Sequence, residues 1–550
     1  MTCPPHEEGR AVRPDRDVII IGAGFSGIYQ LYALRELGFD VHLIEAGPQV
    51  GGTWYWNRYP GARCDIESIG YSYSFDAALQ EEWEWTERYA AQPELLAYLD
   101  HVADKHDLRK DMTFDTRVDS LEFDDTESMW TVTTDTGTRT TARFVVAATG
   151  CLSKPLLPTI DGVNEFAGET YWTWDWPQGG VDLSGKRVAV IGTGSSGVQT
   201  ITTIAPTVGS LTVFQRTPTY AVPAQNRLIA DELAALKPHY AEFREESRLS
   251  VGGIPCGPEL PPFFDDLDDE HALSELDIRY ADGGLCFQQS FRDLLQNREA
   301  NARAAEYVRE RIRQKVTDPA VAERLTPRSY PIAAKRMCVD TGYYEVYNRP
   351  NVSLIDVKQQ PIRRITATGV EAGDTVHEFD VIIMATGFDA MTGALEAIDI
   401  RSGGRTLRDK WSDGPRTYLG LMSAGFPNLF TVTGPQSPSV LSNMITSIEC
   451  HVEWISATLE HMRDRDLTRI EPDVAAEDNW VNTTNDCADL TLLSEAPSWY
   501  MGVNVPGKPR APLPFAGGVG TYKQILDGVT IAGYHGFDLS AGNPEPVSRA

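Results

Sequence analysis

The sequence GxGxxG occurs twice in this chain, each time between an apolar run and a helical pattern, and that pair of units constrains the fold more than any other feature. In the first unit residues 18–21 are a continuous apolar run. Gly22, Gly24 and Gly27 follow, and Ile28, Leu31, Leu34 and Leu37 then recur near helical spacing. Strand, tight turn and helix in that order make a dinucleotide-binding unit. The first glycine permits the turn, the second lets the backbone approach a pyrophosphate, and the third lets helix and strand pack closely. The helix N-terminus then faces the phosphates with unpaired N–H groups. Glu45 closes the next strand, 18 residues after Gly27, where a carboxylate can bind a ribose diol. A lone GxGxxG is weak evidence; the flanking strands, the helix and Glu45 give this one its weight. Ser26 lies in the same loop and is assigned to the same cofactor.

The second unit places Gly192, Gly194 and Gly197 after the apolar run 188–191, with Thr193, Ser195 and Ser196 in the loop as further binding residues. The following strand, 211–214, ends in Gln215, Arg216 and Thr217 instead of an acid. An acid there would repel a ribose 2′-phosphate, whereas an arginine attracts it. The alternative for Arg216 is an ordinary solvated charge. On this reading the first site takes a cofactor with free ribose hydroxyls and the second takes NADP. FAD in the first and NADPH in the second is the economical pairing, because hydride transfer between them is their own chemistry.

Two further apolar runs, FVVAATG at 144–150 and FDVIIMATGFD at 379–389, end in Thr-Gly turns and bracket the second unit. The chain is therefore expected to leave one domain and return to it. The expected divisions are a FAD-binding domain at 1–150 and 387–550, and an NADP-binding domain at 151–220 and 331–386. A helical insertion is expected at 221–330. The fold class is α/β, with two Rossmann-like dinucleotide-binding domains. The insertion carries an acidic stretch, FFDDLDDEHALSEL, and reads as scaffold. The run 428–443 is another strand, closed by Gly434 and Pro435.

Composition excludes several classes. Lys plus Arg is 49 against 78 for Asp plus Glu, a formal charge of −29, which repels nucleic acid and anionic membranes. The N-terminus is polar with three prolines in its first 14 residues and lacks a signal-peptide core. No apolar run reaches the roughly 18 residues of a membrane span. The eight cysteines are scattered without a CxxC, which fits reduced thiols, a cytoplasmic protein and no dithiol–disulfide reductase activity. Among ten histidines, His101 and His106 are the nearest pair and do not share a helix face, so no metal site is expected.

One stretch follows neither period. GGTWYWNRYPGARCD, residues 51–65, holds Trp54, Tyr55, Trp56 and Tyr59, then Arg63 and Asp65. It reads as a loop laid against something flat, with core packing as the alternative.

With these pieces in place the chain resembles the class B flavoprotein monooxygenases, and among them the Baeyer–Villiger monooxygenases, from about residue 17 to 537. The resemblance rests on both GxGxxG units, the aromatic stretch, the two ATG runs, AKRMCVDTGYYEVYNRPNV and SWYMGVNVPGKPR. GARCDIESIGYSYSF and GPQSPSVLSNM are most similar to the phenylacetone and steroid monooxygenase branch. The resemblance implies that Gly52, Thr53, Trp54 and Tyr55 lie against FAD, and that Tyr71 and Val118 line it. Asp65 would sit near the flavin ring and orient Arg336, the cation of the active site. Lys335 would join Arg216 and Thr217 on the 2′-phosphate, Arg63 would reach the nicotinamide end, and Trp499 would close the pocket over NADP. The implied reaction inserts one atom of O₂ beside a ketone carbonyl, through a flavin peroxide, on an aryl or bulky cyclic ketone. Residues 437–444 would shape that preference, and no protein partner is implied. The alternatives are an N- or S-oxygenating relative, an uncoupled NADPH oxidase or redox-sensing flavoprotein, and a binding module without turnover.

The family fingerprint FxGxxxHxxxWP is broken here. FAGETYWTWDWP keeps Phe166, Gly168, Trp176 and Pro177 but places Trp172 at the histidine. Tryptophan cannot titrate, so the expected consequence falls on the coupling of NADPH oxidation to oxygenation.

Overall fold

The computed structural model describes residues 13–257 and 260–541. The leader reading and Cys3 fall on residues outside them.

Two separate sheets anchor the molecule, the first mixed and the second all parallel. In the first, strand Arg16–Ile21 runs between Val41–Ile44 and Arg139–Ala147, both parallel to it, with Val18 opposite Val41 and Phe144. Val18, Ile19 and Ile20 are completely buried, as expected of a parallel strand covered on both faces. Two segments from the far end of the sequence join the same sheet: Leu429–Thr431 pairs with Arg139–Ala147, and Asp399–Ser402 pairs with Val118–Asp124. The long helix Met444–Arg463 packs on helix Phe25–Glu36, and Gln30 donates to Ser456 Oγ at 2.9 Å between them.

The second sheet holds Val352–Asp356, Ser210–Gln215, Arg187–Ile191, Val381–Met384 and Glu169–Trp172, in that order and all parallel. Trp172 ends the edge strand, opposite Met384. Between Ser210–Gln215 and Val352–Asp356 the chain builds helices Ala230–Leu236, Tyr240–Leu249, Asp269–Asp282, Arg298–Lys315 and Pro319–Leu325. The acidic stretch has a local cause. Asp268 caps helix Asp269–Asp282 by accepting from the His271 N–H at 2.9 Å, and Asp269 and Glu270 occupy its first turn, where negative charge meets the positive end of the helix dipole. Among the described residues no helix is long and apolar enough to cross a membrane, and no His, Cys, Asp and Glu group could hold a metal.

The expectation of reduced thiols fails at one pair. Cys256 and Cys286 are disulfide-bonded, with Sγ atoms 2.09 Å and Cα atoms 5.5 Å apart. Helix Asp269–Asp282 reverses the chain between them and brings the 251–257 loop back to the turn Leu285–Gln289. A separation of 30 residues carries no local signal for that contact. The argument from reduced thiols to a cytosolic compartment loses its basis here. Thiol titration of the unfolded chain with and without a reductant should differ by two thiols; equal counts would contradict the bridge.

Candidate active site

Both glycine loops have the geometry that a dinucleotide requires. Gly22 and Gly192 lie at φ +106° and +116°, and a Cβ on either would come within 2.5 Å and 2.2 Å of the carbonyl oxygens of Ala148 and Ala385. Gly194 differs. Its φ of −80° suits any residue, and a Cβ there would meet nothing within 4 Å. No protein atom demands glycine at 194, so the open space itself is the reason. It adjoins the start of helix Ser195–Ile204, which has no side-chain cap and no acid in its first turn. Helix Phe25–Glu36 begins the same way at Gly24. Uncapped, acid-free helix starts fit two pyrophosphates, the second with an open approach at Gly194 and the first with Gly52 close against Gly24. Ser26 is buried in the first turn of its helix, and in the second loop Thr193 ties itself to the Thr217 carbonyl at 3.0 Å. Ser195 and Ser196 lie half-buried in the first turn of the second helix.

Glu45 is buried and accepts the N–H groups of Ala23 and Gly47, each at 2.6 Å. Burial pushes its carboxyl pKa up against those two bonds. It therefore fastens the glycine loop to the strand end, and its remaining lone pairs stay free for a ribose.

The aromatic stretch is not wholly irregular. Thr53–Trp56 forms one helical turn after Gly52, which sits at φ +51°. Against Gly24 the approach is close: a Cβ on Gly52 would lie 2.8 Å from the Gly24 Cα. Trp54 and Tyr55 are buried, Thr53 and Trp56 exposed. The Trp54 indole N–H donates to the Tyr71 hydroxyl at 3.4 Å, and Tyr71 meets Phe25 edge-on with centroids 5.2 Å apart. This makes an aromatic wall beside the first helix start. Val118 is buried in an apolar cluster with Ile21 and Ile44.

Asp65 and Arg336, 271 residues apart in sequence, form a two-pronged ion pair: Nε to Oδ2 and Nη2 to Oδ1, both 2.8 Å. Arg336 Nη1 donates to the Val440 carbonyl at 3.0 Å. Burial alone would lower the guanidinium pKa, but Asp65 overrides it, so the group stays charged. The Tyr500 phenol lies beside it, with its pKa pushed up to about 12 by burial despite the Arg336 charge. Sequence reading chose Trp499, whose ring lies against that of Tyr500 with centroids 4.4 Å apart, and missed Tyr500. Arg63 is spoken for: its Nη1 donates to Glu87 Oε2 at 2.8 Å and to the Tyr89 carbonyl at 3.2 Å.

Lys335 presents the opposite case. It is half-buried, with Nζ 4.7 Å from the Tyr330 ring centroid, and its pKa is lowered to about 8 by burial and by the charges of Arg216 and Lys358. None of these three cations has a carboxylate partner among the described residues. Three unneutralised cations in a chain of charge −29 fit a multiply charged anion. Lys358 was not anticipated. The register that sets Asp356 opposite Gln215 carries it to Arg216.

Trp172 leans on the apolar cluster of the second sheet, which includes Ile191, Phe214 and Met384, and its ring centroid is 5.8 Å from that of Trp174. The linker beyond it reaches the aromatic stretch, where Gln178 Nε2 donates to the Tyr55 hydroxyl. Because tryptophan is packed into this sheet, Trp172→His should cost about 1–2 kcal/mol of stability without raising the yield of product per NADPH. Thermal melts with parallel product assays check both, and a rise in yield would contradict this.

Comparison with known proteins matches residues 19–245 to a family model described as pyridine nucleotide-disulphide oxidoreductase. Within that stretch Cys64 and Cys151 are buried and free, and burial raises both thiol pKa values, so the match reflects the nucleotide folds and not a dithiol. A Baeyer-Villiger monooxygenase of Pseudooceanicola batsensis is 42% identical over 96% of this chain and 97% of its own. The phenazine N-monooxygenase PhzNO1 of Lysobacter antibioticus is 41% identical over 95% and 97%. Among solved structures, an oxidized steroid monooxygenase bound to NADP superposes with a TM-score of 0.92 at 47% identity, covering 96% of this chain and all of the other.

Proposed function

The chain belongs to the Baeyer–Villiger monooxygenases, and we propose that its Asp65–Arg336 pair is the charged centre at which a ketone is oxygenated. It is an NADPH-dependent flavin monooxygenase that uses FAD. Bound FAD, reduced by NADPH, supplies the activation of O₂. The observation that carries the proposal is Arg336 itself, a half-buried guanidinium held charged by a two-pronged bond to one carboxylate.

Of the five N–H groups of a guanidinium, the two bonds to Asp65 and the one to Val440 use three, and the remaining two lie on the side shared with the Tyr500 hydroxyl. Those two hold the negative charge that develops on the substrate oxygen, and a fixed cation in a low-dielectric site does this without reorganisation. Asp65 sets the plane of the guanidinium. Cys151, Met391, Val440, Leu493, Tyr500 and Leu513 form the apolar cluster beside it, which keeps water out. Lys335, Arg216 and Lys358 hold the 2′-phosphate. The glycine loops hold the two pyrophosphates. Trp54, Tyr55, Tyr71 and Val118 bound the flavin side. We place the domain breaks at 150, 220, 330 and 386, where the sequence pattern changes.

The substrate is an aryl or bulky cyclic ketone. In the 437–444 segment Ser437 and Ser439 are buried and bonded to one another at 2.9 Å, and Ser442 bonds Ser447 at 2.7 Å. With those hydroxyls satisfied internally, Val440, Leu441 and Met444 give the segment an apolar side. Mass spectrometry of products from a panel of aryl, cyclic and linear ketones tests this; preferred turnover of small linear ketones would contradict it.

The similarity to an N-oxygenase supports a second reading, in which a nucleophilic nitrogen is oxygenated. That chemistry places no negative charge on a carbonyl oxygen. Arg336→Ala would then leave N-oxide formation intact, and no ester would form with any ketone.

A further inference from the structure

Where the second dinucleotide helix meets the segment that carries Asp65, one side-chain amide makes three of the hydrogen bonds. Gln199 lies in helix Ser195–Ile204, one turn past its start. Its Oε1 accepts from the Tyr59 hydroxyl at 2.8 Å and from the Arg63 N–H at 3.4 Å, while its Nε2 donates to the Arg63 carbonyl at 3.1 Å. The amide thus pairs with both backbone groups of Arg63 as a neighbouring strand would. Asp65 follows two residues later. On its other side the same segment is bonded to 87–91: the Cys64 N–H donates to Ala90 at 3.1 Å, and the Arg63 guanidinium reaches Glu87. The helix approaches as closely as a glycine allows. A Cβ on Gly61 would lie 2.1 Å from Thr203 Oγ1 and 2.7 Å from the Gln199 carbonyl oxygen.

We propose that Gln199 is a positioning residue, which registers the NADP-binding helix against the Asp65–Arg336 pair so that nicotinamide, flavin and cation share one frame. The proposal rests on the assignment of the second loop to NADP. It does not make Gln199 a ligand of the nucleotide. The amide fixes the distance between the element that carries the hydride donor and the element that carries the reaction centre. Misplacing reacting groups by about 1 Å costs on the order of 100-fold in rate. A loosened register should therefore appear in the rate of hydride transfer before it appears in affinity.

The test uses the FAD-loaded protein, NADPH and rapid mixing without oxygen. Gln199→Met keeps the volume and removes the three bonds. It should slow flavin reduction at saturating NADPH by about tenfold or more, with NADPH affinity within about threefold of the parent and the flavin content unchanged. Tyr59→Phe removes the hydroxyl's bonds to Gln199 and Ser196 and leaves the pairing with Arg63, so its loss should be smaller and in the same direction. Reduction within twofold of the parent in both variants would overturn the proposal. So would a fall in affinity with the saturated rate unchanged, because that marks a nucleotide contact. If Gln199→Met fails to retain flavin, Tyr59→Phe decides alone: a slowed reduction supports the latch and a parental rate rejects it. Because the readout is flavin reduction, it is independent of whether any ketone is a substrate.

Discussion

Arg336→Ala should oxidise NADPH at close to the parental rate and form about 1000-fold less ester. Removing one preorganised donor to a developing oxyanion costs on the order of 100- to 1000-fold, and Arg336 supplies both donors and a full charge in a half-buried site. Flavin reduction does not draw on the guanidinium, so the reducing half of the reaction survives and the oxygen is released as hydrogen peroxide. The substitution also leaves the half-buried Asp65 without its partner, which destabilises by less than the roughly 3–5 kcal/mol of a fully buried unpaired charge. Two controls separate chemistry from folding. Asp65→Ala with Arg336→Ala should recover stability and not ester formation, since the charge mismatch is gone but the cation is still missing. Arg336→Lys keeps a charge and loses the two-pronged fit to Asp65, so it should recover little activity. Ester formation in Arg336→Ala near the parental level would remove the residue from its role.

The second large effect is on nucleotide choice. Lys335→Ala combined with Arg216→Ala should weaken NADPH binding by about 100-fold and NADH binding by less than about threefold. Charge-assisted hydrogen bonds to a phosphate contribute about 1.5–3 kcal/mol each. A pH dependence accompanies this. The Lys335 pKa is depressed to about 8 by burial and by the charges of Arg216 and Lys358, so the free protein loses that cation as pH rises through 8. Affinity for NADPH should therefore be full below pH 8 and fall above it, while affinity for NADH stays flat. In Lys335→Ala the alkaline fall should vanish. Fluorescence titrations with both nucleotides between pH 7 and 9.5 read the whole pattern. Equal losses for NADPH and NADH would contradict a 2′-phosphate site.

What the sequence disclosed depended on how local each feature is. Both dinucleotide units are legible because strand, turn and helix lie within about thirty residues and the glycine spacing itself marks the turn, although the atoms that Gly22 and Gly192 avoid, the Ala148 and Ala385 carbonyls, lie far along the chain. Arg216 is legible for the same reason, standing where the ribose-binding acid would be. Asp65 and Arg336 are not local: 271 residues separate them, and nothing in either neighbourhood names the other. Family resemblance drew them together, and the ion pair then showed the contact. Lys358 escaped because its nearness to Arg216 follows from strand order, which places Val352–Asp356 beside Ser210–Gln215. Tyr500 escaped because its larger neighbour Trp499 drew the assignment. Cys256 and Cys286 escaped because a helix, not a motif, brings them together. Trp172 was visible at once as a departure from the fingerprint. Its packing on the second sheet, which needs the edge-strand register, was not.

The central claim is that this chain places one atom of O₂ beside a ketone carbonyl. The most direct test supplies ¹⁸O₂, NADPH and an aryl or bulky cyclic ketone to the FAD-loaded protein. Labelled ester and hydrogen peroxide are then counted against the NADPH consumed. The account predicts an ester carrying a single ¹⁸O atom, formed in near-stoichiometric yield with NADPH. NADPH consumption matched by hydrogen peroxide, with no labelled ester from any ketone supplied, would contradict it.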